Sequence, residues 1–360
     1  STESAASIHQ IANWIKQCLR SHSNCPNEPT SFLPHRVLQI RNGEEVPRVK
    51  LIETENQTRT AAYICLSHCW GSLRPGCMTT SKNLESHKTD IPWSSLSKTF
   101  QDAVAIAIRL GFEYLWIDSL CIIQDDLMDW QNEAANMAEI YRNGFLTIAA
   151  TASHDGTGGL FRPIAAQHEA QSAFVPGFDR PIYCRQILVH PGLAFSEDSR
   201  WLQDISHYRD MFPLLERGWF YQERILSPRI VHFTLCELFW ECSQESCCEC
   251  QTGASSVACF YPPKHAHDSL SSNRDTTEAS ISWNWHDIVE EYTAKQLTFE
   301  KDKLPAISGI AKVLGFRLQG STSYLGGLWA ATISQDLVWR CLQPSTRPSE
   351  SYAPSWSWAS

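Results

Sequence analysis

Tyr114-Leu-Trp-Ile-Asp-Ser-Leu-Cys-Ile-Ile-Gln124 opens as a short apolar, aromatic run behind Gly111 and turns polar at Asp118. Such a run reads as a buried strand, and Asp118 stands where that strand should end. In open α/β sheets ligands sit outside the carboxyl ends of the strands. A carboxylate at that point is therefore a candidate site residue. The competing reading is that Asp118 only caps the next turn.

Working outward, Ser97–Leu110 has helical spacing, with Phe100, Val104 and Ala107 on one face. Thr99 and Asp102 resemble a capping pair, and Gly111 is the expected terminator. Before that helix, Ala61-Ala-Tyr-Ile-Cys-Leu-Ser-His-Cys-Trp-Gly71 is a second apolar strand. Strand, helix, strand is the βαβ unit of a parallel sheet. After Gln124, Asp125-Asp126 starts another helix, reaching about Arg142, with acidic residues at its positive end. Phe145–Thr151 is a third strand, and the three should lie adjacent and parallel. The loop Ser153-His-Asp-Gly-Thr-Gly-Gly-Leu160 follows. Its glycines suit a phosphate cradle, but the Lys-Ser/Thr of a P-loop and the dinucleotide fingerprint are both missing.

Several polar residues stand out on this frame. Ser67 and His68 are neighbours on a strand and point to opposite faces, so adjacency does not make them a nucleophile–base pair. No Gly-x-Ser-x-Gly elbow is present. His68 and Trp70 share one side and are candidates for lining a cleft. On the helix after Asp126, Ala134, Met137 and Tyr141 fall within about 40° of Trp130. Glu133 lies at the border of that packed face, where an ionisable group needs a partner or a task. From Phe161 to Phe233 the chain reads as irregular and strand-like. Within it Arg217-Gly-Trp-Phe-Tyr-Gln-Glu223 alternates charges and aromatics tightly. Arg217, Gln222 and Glu223 there suit either a polar ligand or a brace between domains.

The 360 residues carry 43% hydrophobic and 19% charged side chains, the balance of a globular protein. A formal net charge of −9 without a dense basic run argues against nucleic acid as a partner. No stretch is long and apolar enough to span a membrane. There are 14 cysteines and no apolar signal core in Ser1–Ser23, so mostly free thiols in a cytoplasmic setting are expected. Cys18, His22 and Cys25 have zinc-ligand character but lack a visible fourth ligand, and a helix-end loop is the favoured reading. Cys236, Cys242, Cys247, Cys248, Cys250 and Cys259 form the densest group, again without a second well-spaced pair. No metal site is assigned.

Ile8–Leu19 reads as a helix, and Phe32–Ile40 with Val46–Thr54 as a hairpin turning at Asn42-Gly43. Residues 1–60 then form an N-terminal helix and hairpin, 61–160 an α/β core, and 161–360 a mixed α+β extension. Within the extension, Ile230–Cys242 looks like a strand pair, and Trp285–Leu297 and Asp302–Gly315 look like helices. Pro354-Ser-Trp-Ser-Trp358 near the end suggests a chain that continues beyond Ser360.

Taken together, Tyr63-Ile-Cys-Leu-Ser-His-Cys-Trp-Gly71, Leu115-Trp-Ile-Asp-Ser-Leu-Cys-Ile-Ile-Gln124, Asp129-Trp-Gln-Asn-Glu133 and Arg217-Gly-Trp-x-x-Gln-Glu223 resemble the fungal heterokaryon-incompatibility (HET) domain family. Leu226-Ser-Pro-Arg229, Gly327-Leu-Trp329 and Pro354-Ser-Trp-Ser-Trp358 extend the likeness across most of the chain. The resemblance implies a fungal protein and a role in cell death after non-self recognition. It also implies a distant likeness to TIR domains, whose flavodoxin-like, mainly parallel sheet supports NAD cleavage by a single glutamate in some members. On that reading NAD is a substrate, no cofactor is firmly implied, and Glu133 is the first candidate for the catalytic carboxylate with Asp118 second. Trp70, Trp116 and Trp130 are candidates for stacking on a base. Ser67, His68, Gln124, Arg217, Trp219, Gln222 and Glu223 complete the ligand-binding set. Two other readings stand beside it: a scaffold recruited as a non-redox cyclase or isomerase of secondary metabolism, and a non-catalytic recognition module. The expected partner is a small-molecule or nucleotide ligand, with self-association or a protein partner also open.

Overall fold

A computed structural model of the chain describes residues 1–27, 32–54, 61–71, 76–164, 169, 171–177, 179–184, 210–249, 278–317, 323–341 and 352–360. Helix α1 (Ala5–Ser21) precedes the hairpin β1 (Arg36–Arg41) and β2 (Arg48–Glu53). Then come β3 (Ile64–Ser67), α2 (Leu84–Thr89), α3 (Lys98–Arg109), β4 (Tyr114–Ile117), the single turn α4 (Asp118–Cys121), α5 (Leu127–Asn143) and β5 (Leu146–Ala149). A small hairpin, β6 (Gln171–Ala173) and β7 (Ile182–Cys184), is followed by α6 (Gly218–Leu226), β8 (Arg229–Phe233), β9 (Leu238–Cys242) and β10 (Ser246–Cys248). Helices α7 (Glu278–Thr293) and α8 (Pro305–Arg317), the hairpin β11 (Tyr324–Leu325) and β12 (Leu328–Trp329), and the single turn α9 (Ile333–Asp336) complete the described α-helices and strands.

One 8-stranded mixed sheet carries the fold, in the order β10-β9-β8-β5-β3-β4-β1-β2. Its centre is parallel: β3 pairs with β4 (Cys65 opposite Trp116) and with β5 (Cys65 opposite Thr147), and β5 pairs with β8. The expected adjacency of the three strands is what is found. Antiparallel hairpins flank the parallel centre, β1–β2 beside β4 and β9–β10 beside β8. The sheet thus draws strands from residues 36–53 and 229–248 as well as from the central α/β segment.

Taken in chain order, the parallel strands stand second, first, third, fourth across the sheet. Right-handed crossovers then place α3 on one face and α5 and α6 on the other. The contacts agree. The His68 ring meets Phe100 of α3 edge-on at 4.9 Å, whereas Trp116 meets Tyr141 of α5 at 5.6 Å. Helices α5, α6 and α8 pack together. Between β3 and β5 the connections leave in opposite directions, and the crevice at that switch point is where such sheets bind ligands.

The local signals explain most elements. The central strands are four residues long and buried throughout, as expected of a sheet covered on both faces. Asp126 caps α5, accepting from Met128 N and Asp129 N, and Gly111 ends α3 with φ +83°.

Three expectations are corrected. The alternating Arg217–Glu223 segment is helical from Gly218. It is buried on nearly every side, from Phe220 to Leu226, so no 3.6-residue stripe distinguishes it from a strand. The N-cap of α3 is Ser97, not Thr99, since Ser97 Oγ accepts from Phe100 N. Thr99 and Asp102 reach out of the helix, Thr99 Oγ1 accepting from Gly159 N at 3.1 Å and Asp102 Oδ2 from Leu160 N at 2.8 Å. That overturns the phosphate-cradle reading of the loop near Gly158. Its N–H groups at Thr157, Gly158, Gly159 and Leu160 already have partners within the protein.

Candidate functional site

The carboxyl ends of β3 and β4 bring together the first group of polar residues. Asp118 follows β4 directly. Its Oδ2 accepts from Trp70 Nε1 at 2.9 Å, and its Oδ1 lies 3.7 Å from His68 Nδ1. It also accepts from Ser119 N at 2.6 Å. The Asp118 side chain keeps 22% of its surface open, while His68 is buried. Burial lowers the His68 pKa, against the pull of Asp118, so the ring is neutral near pH 7. Its Nε2 has no hydrogen-bond partner among the described residues. Gln124 supports the turn from behind, its Nε2 donating to Asp118 O and Ile122 O, both at 3.1 Å. Arg217 Nη1 donates to His68 O and so ties the start of α6 to the end of β3.

On the other face of β3, Ser67 points towards α5 and α6. Here lies Glu223, a buried carboxyl on α6, near Ser67 and the Tyr141 hydroxyl. Burial is the main cause that lifts its pKa to about 7. The Asp118 charge adds to the rise, while Ser67, Arg217 and Tyr141 oppose it. Ser67 Oγ is within reach of both groups, yet closes a hydrogen bond of good geometry to neither. Burial and the Glu223 charge hold Tyr141 well above the usual tyrosine range. A carboxyl that is half protonated near neutral pH can both donate and accept a proton.

Glu133 stands in a different group. Its Oε1 lies 3.3 Å from His35 Nδ1 and 3.6 Å from Arg36 Nη2, and Arg36 also grips Asp129 at 2.5 Å. Burial raises the Glu133 pKa, and Arg36 and His35 pull it back. The first candidate for the catalytic carboxylate thus sits with His35, Arg36 and Asp129 rather than with Asp118. It locks α5 to the start of β1. His35, Asp129 and Glu133 offer ligand atoms within 4.8 Å of one another, but the Arg36 guanidinium already supplies a cation there.

The remaining candidates are dispersed. Trp116 is wholly buried in the core, so it has no face free to stack on a base. Trp130 and Trp219 pack edge to face at 6.4 Å, and Trp219 Nε1 donates to Asp302 Oδ2 at 3.1 Å. Gln222 accepts from Gly309 N at 2.7 Å, within the seam between α6 and α8. Of the twelve residues named from sequence, Ser67, His68, Trp70, Asp118, Gln124, Arg217 and Glu223 gather at the strand ends. Tyr141 belongs with them, although its sequence position marked it only as part of a packed face. A separate groove of about 740 Å³ runs along the β1–β2 hairpin, lined by Arg41, Glu44, Glu45, Arg48, Lys50 and Trp93 among others. It is far less enclosed chemically, with no buried titratable group of the kind found around Glu223.

A mixed α/β sheet with a buried acid at its parallel strand ends defines the class of protein. Residues 63–223 match the family described as Heterokaryon incompatibility protein (HET), so this span is a HET domain. No curated protein and no solved structure matches it. The matched span begins at Tyr63, just before β3, and ends at Glu223 on α6.

Proposed function

We propose that this HET domain cleaves a nucleotide such as NAD at the glycosidic bond, with Glu223 rather than Glu133 as the proton-handling carboxyl group. The observation that carries this reading is the Glu223 pKa of about 7 in a buried position beside the carboxyl ends of β3 and β4. The second–first–third–fourth strand order is that of flavodoxin-like sheets and supports the distant likeness to TIR domains. In the reaction, the C1′–N bond breaks and its electron pair leaves with nicotinamide. The ribosyl centre becomes oxocarbenium-like, and the Asp118 carboxylate offsets its charge. Water adds to C1′ and passes its proton to Glu223. Trp70 and His68 flank the approach to Asp118. An effector role in fungal incompatibility and cell death, in the cytoplasm, is the biological form of the same proposal.

The test is nicotinamide release from NAD by the purified chain. Glu223→Gln should lower turnover at least about a hundredfold, the scale of losing one acid–base group. Glu133→Gln should leave turnover per folded molecule within about threefold. Absence of cleavage with NAD and with other nucleotides would remove the reading. Isomerised or cyclised product from a metabolite would favour the recruited-scaffold reading, for which a near-neutral carboxyl is equally suited.

A further inference from the structure

The sequence left Cys18, His22 and Cys25 without a fourth ligand, and the fold supplies one. Cys242, at the end of β9, stands against the C-terminal turn of α1. The ligand atoms of Cys18, His22, Cys25 and Cys242 all lie within 4.8 Å of one another, and all four residues are buried. None of the four belongs to the 63–223 span that matches the HET family.

We propose that these residues form a tetrahedral structural zinc site that clasps α1 to the sheet. Three thiol sulfurs and one imidazole are a closed ligand set for Zn²⁺, which leaves no position open for substrate. In such a site, with Zn–S near 2.3 Å, sulfurs stand about 3.8 Å apart. The present cluster is close to that spacing, with His22 Nδ1 at 3.2 Å from Cys242 Sγ.

The surroundings match what a zinc site needs. His22 turns Nδ1 towards the sulfurs, and its Nε2 lies 3.2 Å from Glu245 Oε2. That carboxylate would fix the Nδ1-ligating tautomer, as outer carboxylates do for zinc-bound histidines. Three thiolates and one Zn²⁺ leave a net negative charge. The Arg229 Nε, 3.2 Å from Cys18 Sγ, places a cation against it. The same guanidinium holds the loop after His22 through Pro26 O. The three cysteines and one histidine therefore have ligand atoms, charge balance and orientation in one place. The cysteines concerned are free thiols, so no disulfide competes for their sulfurs.

The experiment is metal analysis of the full chain purified without added metal or chelator. About one zinc per chain is expected, as for a structural site. Cys242→Ser and Cys25→Ser should lower zinc content at least about fivefold, because each leaves only three ligands. Cys77→Ser, at a buried thiol beside Ser95 and outside the four-residue cluster, should retain it. Glu245→Gln keeps all four ligands and should weaken zinc about tenfold in a chelator competition. Cobalt(II) replacement should give the intense visible bands of a tetrahedral thiolate site, a readout that does not depend on catalysis. Zinc-free protein with the four side chains unmodified would overturn the proposal. So would a disulfide between any two of the cysteines, bound iron in place of zinc, or zinc that survives Cys242→Ser but is lost on Cys247→Ser.

Discussion

Trp70 Nε1 donates to Asp118 Oδ2 at 2.9 Å, and this bond joins the carboxyl ends of the first two parallel strands. Trp70 follows β3 and Asp118 follows β4, so the bond bridges the segments that leave these two strands. Trp70→Phe keeps most of the ring but removes the donor. A loss of about 1 kcal/mol in denaturant unfolding is expected, the ordinary value of such a bond. Unchanged stability would mean that water replaces the indole at Asp118.

Glu223 should make stability depend on pH. Its pKa rises from 4.5 to about 7 on folding, so between those values the folded chain binds more protons than the unfolded one. Stability from this group is therefore full below pH 4.5 and is lost as pH rises through 7. The loss amounts to about 3 kcal/mol. Glu223→Gln should flatten that part of the unfolding free energy between pH 5 and pH 8, and a slope that survives the substitution would place the titration elsewhere.

Glu133→Gln should behave as a structural change. It removes the charge facing Arg36 and His35 while Arg36 keeps Asp129. About 1–3 kcal/mol of stability should be lost, the cost of a poorly satisfied buried group. Circular dichroism melts would show it.

Gly71→Ala should be harsher than its size suggests. Gly71 has φ +77°, and a Cβ there would meet Asp155 Cβ at 2.7 Å. The loops after β3 and β5 touch at this point, across the switch in the sheet. A loss of about 1–3 kcal/mol is expected from backbone strain alone. Relief by a second substitution, Asp155→Gly, would show that the contact contributes.

Much of the central fold was legible in the sequence because its signals are local. Strands at Tyr63, Tyr114 and Phe145 are short apolar runs, and the two long helices between them, α3 and α5, carry their own caps. Asp118 was readable for the same reason, as the first acid after a buried run. Glu133 was marked as needing a partner or a task, with the task put first. The partner is Arg36, which the chain brings from the N-terminal hairpin, and no periodicity announces a contact of that range. Glu223 was harder still. Its helix is buried on nearly all sides, so the spacing that identifies an amphipathic helix is absent. Cys242 completed the Cys18, His22 and Cys25 set only because α1 lies along β9.

The outer edge of β2 has a consequence for association between copies. Arg48 and Lys50 face solvent along it. One of its carbonyls, at Val49, already accepts from Ile91 N at 2.8 Å, and Lys88 pairs with Glu53 at 2.8 Å. The segment that covers the edge continues into Pro92, which has no N–H to offer another chain. Charge, cover and proline are the features that stop a sheet from extending into a neighbour and seeding cross-β aggregation. Crowding of many copies, as in a signalling cluster, would therefore leave this edge inert.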